Sequence, residues 1–403
     1  MKALILAAGE GKNLVPFTTT RPKPMINVGG RFILENTIKL LKESGINVIN
    51  IVVGHESDKI VQYFERGADF GVNIHYSYQK KLSGIGDAVY KVKERFNPGE
   101  YFMLIYGDII TSANIFNYTL HSFNMSKEPV ASVCLTPSTK MFGNVYLDNE
   151  MKITKIIEKP KKGDLGNYVL SGVFILPSRF FSVLEKTKFN MELALGRLIG
   201  EIGLKASIWE GEWIDIAYPW DILIANKIIM DSWGEATISK SAHLIGDVRI
   251  EGPVQIEDNV EIRSGTIIEG PSFIGSGSFI GNNVLIRKYT SVGKGCIVGY
   301  GVELKNCILS GNSQIGRLSF IGDSVIGNNV DIGSGVMTIN ENLDRSTVKT
   351  TVNKKSMDTN LNKLGAFIGD DAIIGSGNTT MAGTVINSQV KIPHHYTYPK
   401  EGR

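Results

Sequence analysis

With 403 residues the chain is long enough for two domains, each with a full core. Its 43 basic side chains nearly balance 40 acidic ones, so no footprint for nucleic acid or an anionic membrane surface shows. Three cysteines, Cys134, Cys296 and Cys307, are too few and too scattered for a disulfide framework or metal cluster, and read as small buried apolar residues.

The first apolar run, Ala3-Leu4-Ile5-Leu6-Ala7-Ala8, is of the kind shown by a strand buried on both faces. As the core of a signal peptide it is too short, and no other stretch has the length of a membrane span, so a cytoplasmic protein is expected. The run breaks at Gly9-Glu10-Gly11, where glycine lets the backbone turn and aim its N–H groups at an anion. A dinucleotide fingerprint needs a third glycine where Leu14 stands, and a P-loop needs Ser or Thr where Asn13 stands. A plain tight turn is the bland alternative for a lone Gly-x-Gly. Lys23, framed by Pro22 and Pro24 that restrict the backbone around it, favours a phosphate cradle instead.

Strands and helices then alternate. The pattern predicts a helix over 33–44 closed by Gly45, a strand over 48–53 and a helix capped by Asp58 and ended by Gly67. A half-buried strand through Ile74 and Tyr76 follows, then a helix over 86–96 and a strand over 101–106. This βαβαβ rhythm implies an α/β, Rossmann-like, mostly parallel sheet, whose ligands sit at the carboxyl ends of strands. Asp108 falls at such an end, where a carboxylate suits Mg²⁺ held against nucleotide phosphates. Asp215, in Trp213-Ile214-Asp215-Ile216, is a second candidate.

Residues 6–24 resemble the opening of the sugar-1-phosphate nucleotidylyltransferases, L-A-A-G-x-G-x-R-L-x-P-x-T-x-x-x-P-K-P, with every fixed position met except the arginine, here Asn13. Further segments match in family order. The resemblance implies a nucleotide site of Leu6, Ala8, Gly9, Gly11, Lys23, Gln79 and Gly84, with Gln79 reading the base. It implies a sugar-phosphate site of Gly143, Glu158, Lys159 and Gly172, and metal carboxylates at Asp108 and Asp215, although Ala217 replaces a glycine of the second metal segment. The implied reaction is attack of a sugar 1-phosphate on the α-phosphorus of a nucleoside triphosphate, with Lys23 and Asp108 catalytic and Mg²⁺ as cofactor. Two departures matter. The phosphate-gripping arginine is absent at Asn13, which leaves Lys12 or Arg21 to reach the same oxygens, and a sugar-binding Asn of the family is Leu170.

A linking helix is expected from Pro219 to Trp233, dividing the chain into domains at 1–230 and 236–403. From Ile238 to Leu304 an aliphatic residue recurs at every sixth position, often followed by glycine. That period marks the hexapeptide repeat of a parallel β-helix. The ladder slips near Ser310, resumes from Ile315 to Ile332, gives way to a polar excursion at about 340–362, and returns at Ile368. Such coils in relatives are left-handed and commonly trimerise, so a homo-oligomer is implied, a trimer or its multiple.

The same two-domain layout belongs to the bifunctional enzymes that make UDP-N-acetylglucosamine, whose acetyl-transfer motif resembles N-H-L-S-Y-x-G-D. Here that stretch reads Gly316-Arg317-Leu318-Ser319-Phe320-Ile321-Gly322-Asp323. Arg317 stands where the general-base His belongs and cannot accept a proton, and Phe320 has lost the Tyr hydroxyl; Asn340 still matches. No acetyltransferase activity is expected of this vestigial site. The reading is a nucleotidylyltransferase, with Gln79 favouring UTP or dTTP. Two others stay open: a catalytically weak regulatory subunit that binds nucleotides and assembles with an active paralogue, and the fully bifunctional enzyme.

Overall fold

The structure is a computed structural model and describes residues 1–81, 83–136, 139–160 and 166–399. The chain packs as two units that interleave in sequence. The first comprises Met1–Glu10, Pro22–Met25 and Ile33–Asp215; the second comprises Gly11–Arg21, Ile26–Phe32 and everything from Ile216 onward. No helix among the described residues is long and apolar enough to cross a membrane.

The first unit is built on a nine-stranded mixed sheet. Strand β1 (Lys2–Ala7) lies at its centre, parallel to β2 (Val48–Val53) and to β4 (Tyr101–Tyr106), while β3 (Asn73–Tyr78) runs parallel beyond β2. Ala3, Leu4, Ile5, Ile51, Val52, Leu104 and Ile105 are wholly buried, as continuous apolar runs between two helical layers require. Strand β5 (Ile109–Thr111) follows β4 directly. Beyond β4 the sheet turns antiparallel through β9 (Tyr168–Pro177), flanked by β6 (Val130–Leu135) and by β7 (Gly143–Leu147), with β8 (Ile153–Glu158) outside β7 and β10 (Lys205–Trp209) outside β6. Among the described residues, strand β11 (Trp213–Asp215) pairs with β5 alone.

The expected helices form with two adjustments. α1 (Ile33–Glu43) buries Ile33, Leu34, Ile38 and Leu41 on one stripe. α2 (Ser57–Phe64) begins one residue before Asp58, after Glu56 in a left-handed conformation, so Asp58 sits in the first turn rather than at the cap. The third predicted helix is two pieces, α3 (Ile85–Tyr90) and a 3₁₀ turn at Lys93–Arg95. Val92 leaves helical geometry between them, which lets both Val92 and Phe96 reach the core.

The second unit is a three-sided parallel β-helix. Its strands stack into three sheets of eight, each coil contributing one short strand to each sheet. Ile274 pairs with Val292, a coil of eighteen residues; Val292 pairs with Leu309 and Val298 with Ile315, coils one residue shorter. The slip near Ser310 is therefore a one-residue deletion absorbed at a corner, not a break in the ladder. Residues Ile256, Ile262, Ile268, Ile274, Ile280 and Ile286 fill the interior, with Val292, Val298 and Leu304 above them. Ile238 and Leu244, at 43% and 38% exposure, are exceptions because no coil stacks below the first. The polar excursion carries its own hairpin, Lys349–Val352 against Lys355–Asp358.

Candidate active site

The strand ends of the first unit assemble the chemistry. Because β1 and β4 are parallel neighbours, with Leu6 opposite Tyr106, the turn after β1 leaves the sheet beside the turn after β4. Gly107 N–H donates to the Leu6 carbonyl at 3.0 Å, tying the two exits together. Asp108 follows immediately. The β5–β11 register sets Asp215 opposite Ile109, which delivers the second carboxylate to the same place from the far end of the unit. The Lys23 ammonium joins them, donating to Asp108 Oδ2 at 2.5 Å and to Asp215 Oδ1 at 3.4 Å.

Burial alone lowers a lysine pKa, but the facing carboxylates of Asp108 and Asp215 outweigh it and hold Lys23 above its ordinary value. The charge is therefore kept throughout the physiological range. Its ion-pair contribution to stability is fully present below the ordinary lysine pKa and is lost only as pH rises through the higher folded value. Asp108 Oδ1 is buried with no hydrogen-bond partner among the described residues, an orphaned acceptor beside a second carboxylate. Oxygen donors of this kind suit a hard divalent cation whose remaining positions are filled by water and phosphate.

These carboxylates line a cavity of about 570 Å³, which also brings together Gly84, Gly143, Glu158, Lys159 and Gly172. Leu170, where a sugar-binding Asn belongs, lines it as well and presents an aliphatic surface. Burial raises the Glu158 pKa; nearby Lys159 opposes this and Glu192 adds to it. Phe142 precedes Gly143 in a segment that the sequence already places at the sugar, whereas the roles of Trp213 and Glu192 were missed. Phe142 and Trp213 meet edge-to-face with ring centres 5.2 Å apart, and Glu192 accepts the Glu158 N–H at 3.2 Å. Trp213 was within reach, since it belongs to the segment read only for Asp215. Glu192 carries no local signal.

Gly172 has φ +86°, and a Cβ there would lie 3.0 Å from Tyr106. Gly172→Ala is expected to cost about 1–2 kcal/mol through left-handed strain, read as a lower urea midpoint. An unchanged midpoint would show that the segment relaxes.

At the carboxyl end of β3, Gln79 is buried and donates through Nε2 to Asp87 Oδ2 at 2.9 Å and to the Gly84 carbonyl at 3.1 Å. Both donors of the amide are engaged, which leaves Oε1 as an acceptor. Asp87 was not legible as a site residue because it lies inside an ordinary helix. Gly84 itself has φ 101° and ψ 172°, a region open essentially to glycine only. Leu6, Ala8, Gly9 and Gln79 lie outside the cavity lining, with Gly9 exposed and Ala8 accepting the His55 N–H at 3.3 Å.

Gly11 begins the segment that packs with the second unit. It is left-handed (φ 63°), and its carbonyl accepts from Leu14 N–H and Thr18 Oγ1, both at 2.8 Å. Asn13 Oδ1 accepts from Asn353 Nδ2 at 2.7 Å. Arg21 does not supply the missing cation: it is buried in an ion pair with Asp370, whose other oxygen accepts from Thr20 Oγ1 at 2.5 Å. Of the two alternatives, Lys12, which is exposed, is the one left.

In the stretch from Gly316 to Asp323, Arg317 is exposed, while Phe320 and Asn340 both flank Gly322. The Asn340 amide donates to the buried Asp323, which also receives Lys305 Nζ at 3.0 Å and Asn306 Nδ2 at 2.7 Å. Asn340 is thus held in a structural cluster. His394 and His395 are exposed, and all three cysteines are buried thiols.

Comparison with known proteins bears on both units. The nucleotidyl transferase family model matches residues 2–230, and a GMPPB C-terminal domain model matches residues 268–397. The bifunctional protein GlmU of Methanocaldococcus jannaschii is 34% identical, over 96% of this chain and 92% of its own length. A bifunctional sugar-1-phosphate nucleotidylyltransferase/acetyltransferase of Sulfurisphaera tokodaii is also 34% identical, over 97% and 96%. Among solved structures, a putative glucose-1-phosphate thymidylyltransferase from Bacillus anthracis superposes with TM-score 0.53 at 26% identity, over 57% of this chain and 94% of its own.

Proposed function

The chain belongs to the sugar-1-phosphate nucleotidyltransferase family, and from that premise we propose that it transfers a nucleotidyl group from UTP or dTTP to a sugar 1-phosphate, releasing pyrophosphate. The observation that carries this reading is the convergence of Asp108 and Asp215, which line the 570 Å³ cavity, on the Lys23 ammonium that bonds both. The Gly9–Gly11 turn offers N–H groups to the triphosphate, and Lys23 brings a fixed positive charge to the leaving phosphates. An oxygen of the sugar 1-phosphate bonds to the α-phosphorus as the bond to the β-phosphate oxygen breaks, and that oxygen leaves with the electron pair on pyrophosphate. Asp108 and Asp215 are the residues that would hold Mg²⁺, which when bound neutralises phosphate charge. Glu158, Lys159, Gly143 and Gly172 surround the sugar. Gln79 Oε1 accepts the N3–H of a uracil or thymine, which is the basis for the pyrimidine assignment. Residues 1–230 act as the catalytic domain, in the cytoplasm, with 236–403 serving assembly as a homo-oligomer.

Acetyl transfer is absent in this reading, although relatives are named bifunctional, because a guanidinium at Arg317 cannot take the amine proton. Incubation with acetyl-CoA and glucosamine 1-phosphate is expected to leave the free amine unchanged; steady loss of amine would overturn this. Substrate identity is tested by kcat/KM across UTP, dTTP, ATP and GTP with a panel of sugar 1-phosphates. Preference for UTP or dTTP that Gln79→Ala erases supports the assignment, and a purine preference contradicts it. Asn13→Arg is expected to raise kcat, since a phosphate-binding arginine typically contributes about 10²–10³ in rate. An unchanged rate would mean that Lys12 already fills the role. The held position of Asn13 against Asn353 favours a second reading, a regulatory paralogue, which silence across the panel with nucleotide binding retained would support.

A further inference from the structure

The second unit contains a separate cavity of about 580 Å³, walled by Lys12, Asn13 and Val15, by the hairpin at 349–356 and by the coil from Met381 to Asn387. Three lysines line it, Lys12, Lys349 and Lys354, and among the described residues no Asp or Glu does. The remaining lining is rich in groups that bind phosphate oxygens, among them Thr351, Ser356, Asn353 and Asn387. Asp358, the cross-strand partner of Lys349, lies outside it.

The hairpin tip adds a second observation. Its two turn residues, Asn353 and Lys354, both have positive φ, 50° and 64°. A two-residue turn of this kind is ordinarily Asn-Gly, because the second position disfavours a side chain. Lysine there costs backbone strain and returns only its side chain, which points to a use for the ammonium. The first turn residue, Asn353, is the one that bonds Asn13.

We propose that this cavity is an anion site for a phosphorylated small molecule, held by Lys12, Lys349 and Lys354, and that its occupancy controls nucleotidyl transfer. The control runs along the chain. Lys12 and Asn13 begin three residues after Gly9, and the same segment ends at Arg21, two residues before Lys23. A ligand that bridges Lys12 to the hairpin restrains a segment whose two ends are the cradle and the catalytic lysine. Binding is independent of the function proposed above; the regulatory effect rests on it.

The test uses the full chain with inorganic phosphate and a sugar bisphosphate as probes. Amine acetylation with acetic anhydride, read by mass spectrometry, reports each lysine separately. Protection of Lys349 and Lys354 that saturates at about 1–10 mM or below is expected, and unchanged reactivity of both would overturn the site. Lys354→Gly removes one charge while relieving the turn, so it is expected to raise the urea midpoint and to weaken protection of Lys349 at least several-fold. Equal protection in Lys354→Gly would contradict the assignment. In the nucleotidyl-transfer assay, wild type should show a change in KM for the triphosphate on adding either probe, and Lys354→Gly with Lys349→Ala should lose that response at unchanged basal kcat. Protection without any kinetic response would overturn the regulatory half and leave the site standing.

Discussion

Replacing Asp108 with Ala is expected to lower nucleotidyl transfer by at least about 10²–10³-fold, the loss typical of removing one preorganised charge-stabilising group, with little change in stability. The fold-level expectation follows from the surroundings. Asp108 sits at a strand exit rather than in the core, its Oδ1 makes no hydrogen bond, and its Oδ2 serves the Lys23 ammonium, which retains Asp215. Removing the carboxylate therefore leaves one balanced pair behind instead of a buried lone charge. Asp108→Asn separates charge from shape: its amide keeps the size of the side chain but faces Lys23 with no negative charge, so activity should fall nearly as far. Retained activity in Asp108→Asn would mean that charge at this position is not what the reaction uses.

Asp370→Ala is expected to destabilise the second unit by about 3–5 kcal/mol, the cost typical of breaking a buried ion pair from one side. Arg21 and Asp370 each expose only 8% of their side chains. Asp370 also accepts from Thr20 Oγ1 and from Asn328 N–H at 2.8 Å. Truncation removes the carboxylate from a buried guanidinium and an amide hydrogen, while the Thr20 hydroxyl keeps the Phe17 carbonyl at 3.3 Å. Asp370→Asn keeps two acceptor lone pairs but no charge and should lose less. The measurement is the chemical denaturation midpoint of the transition assigned to the second unit. A loss below about 1 kcal/mol in Asp370→Ala would show that water reaches Arg21 once the carboxylate is gone.

The contrast between these two aspartates shows what the sequence makes legible. Asp108 announces itself because it follows a continuous apolar strand, and a strand end in a parallel sheet is where ligands collect. The hexapeptide ladder is legible for a similar reason: one periodicity fixes the whole β-helix, and the structure places the ladder from Ile256 onward inside it. Asp370 is invisible by the same means. Its partner lies 349 residues away, and no local pattern records a long-range pairing between Arg21 and a corner of the β-helix. The same limit hid Asp87, whose hold on Gln79 is seen only when the loop at Gly84 is folded. It also hid the hairpin at 349–358, where a polar excursion proved to be paired strands with lysine in a left-handed turn position. Arg21 illustrates the converse error. Its place in the family's opening segment made it a candidate phosphate ligand, yet its charge is spent on Asp370.

The measurement that tests the central claim most directly is pyrophosphate release by the purified chain with Mg²⁺, a pyrimidine nucleoside triphosphate and a panel of sugar 1-phosphates, run beside Asp108→Ala. The account predicts release that depends on both substrates, disappears on chelation of the divalent cation, and falls by about 10²-fold or more in the variant. Equal release by wild type and Asp108→Ala would contradict it, since the carboxylates gathered at the strand ends would then not be the site of the reaction.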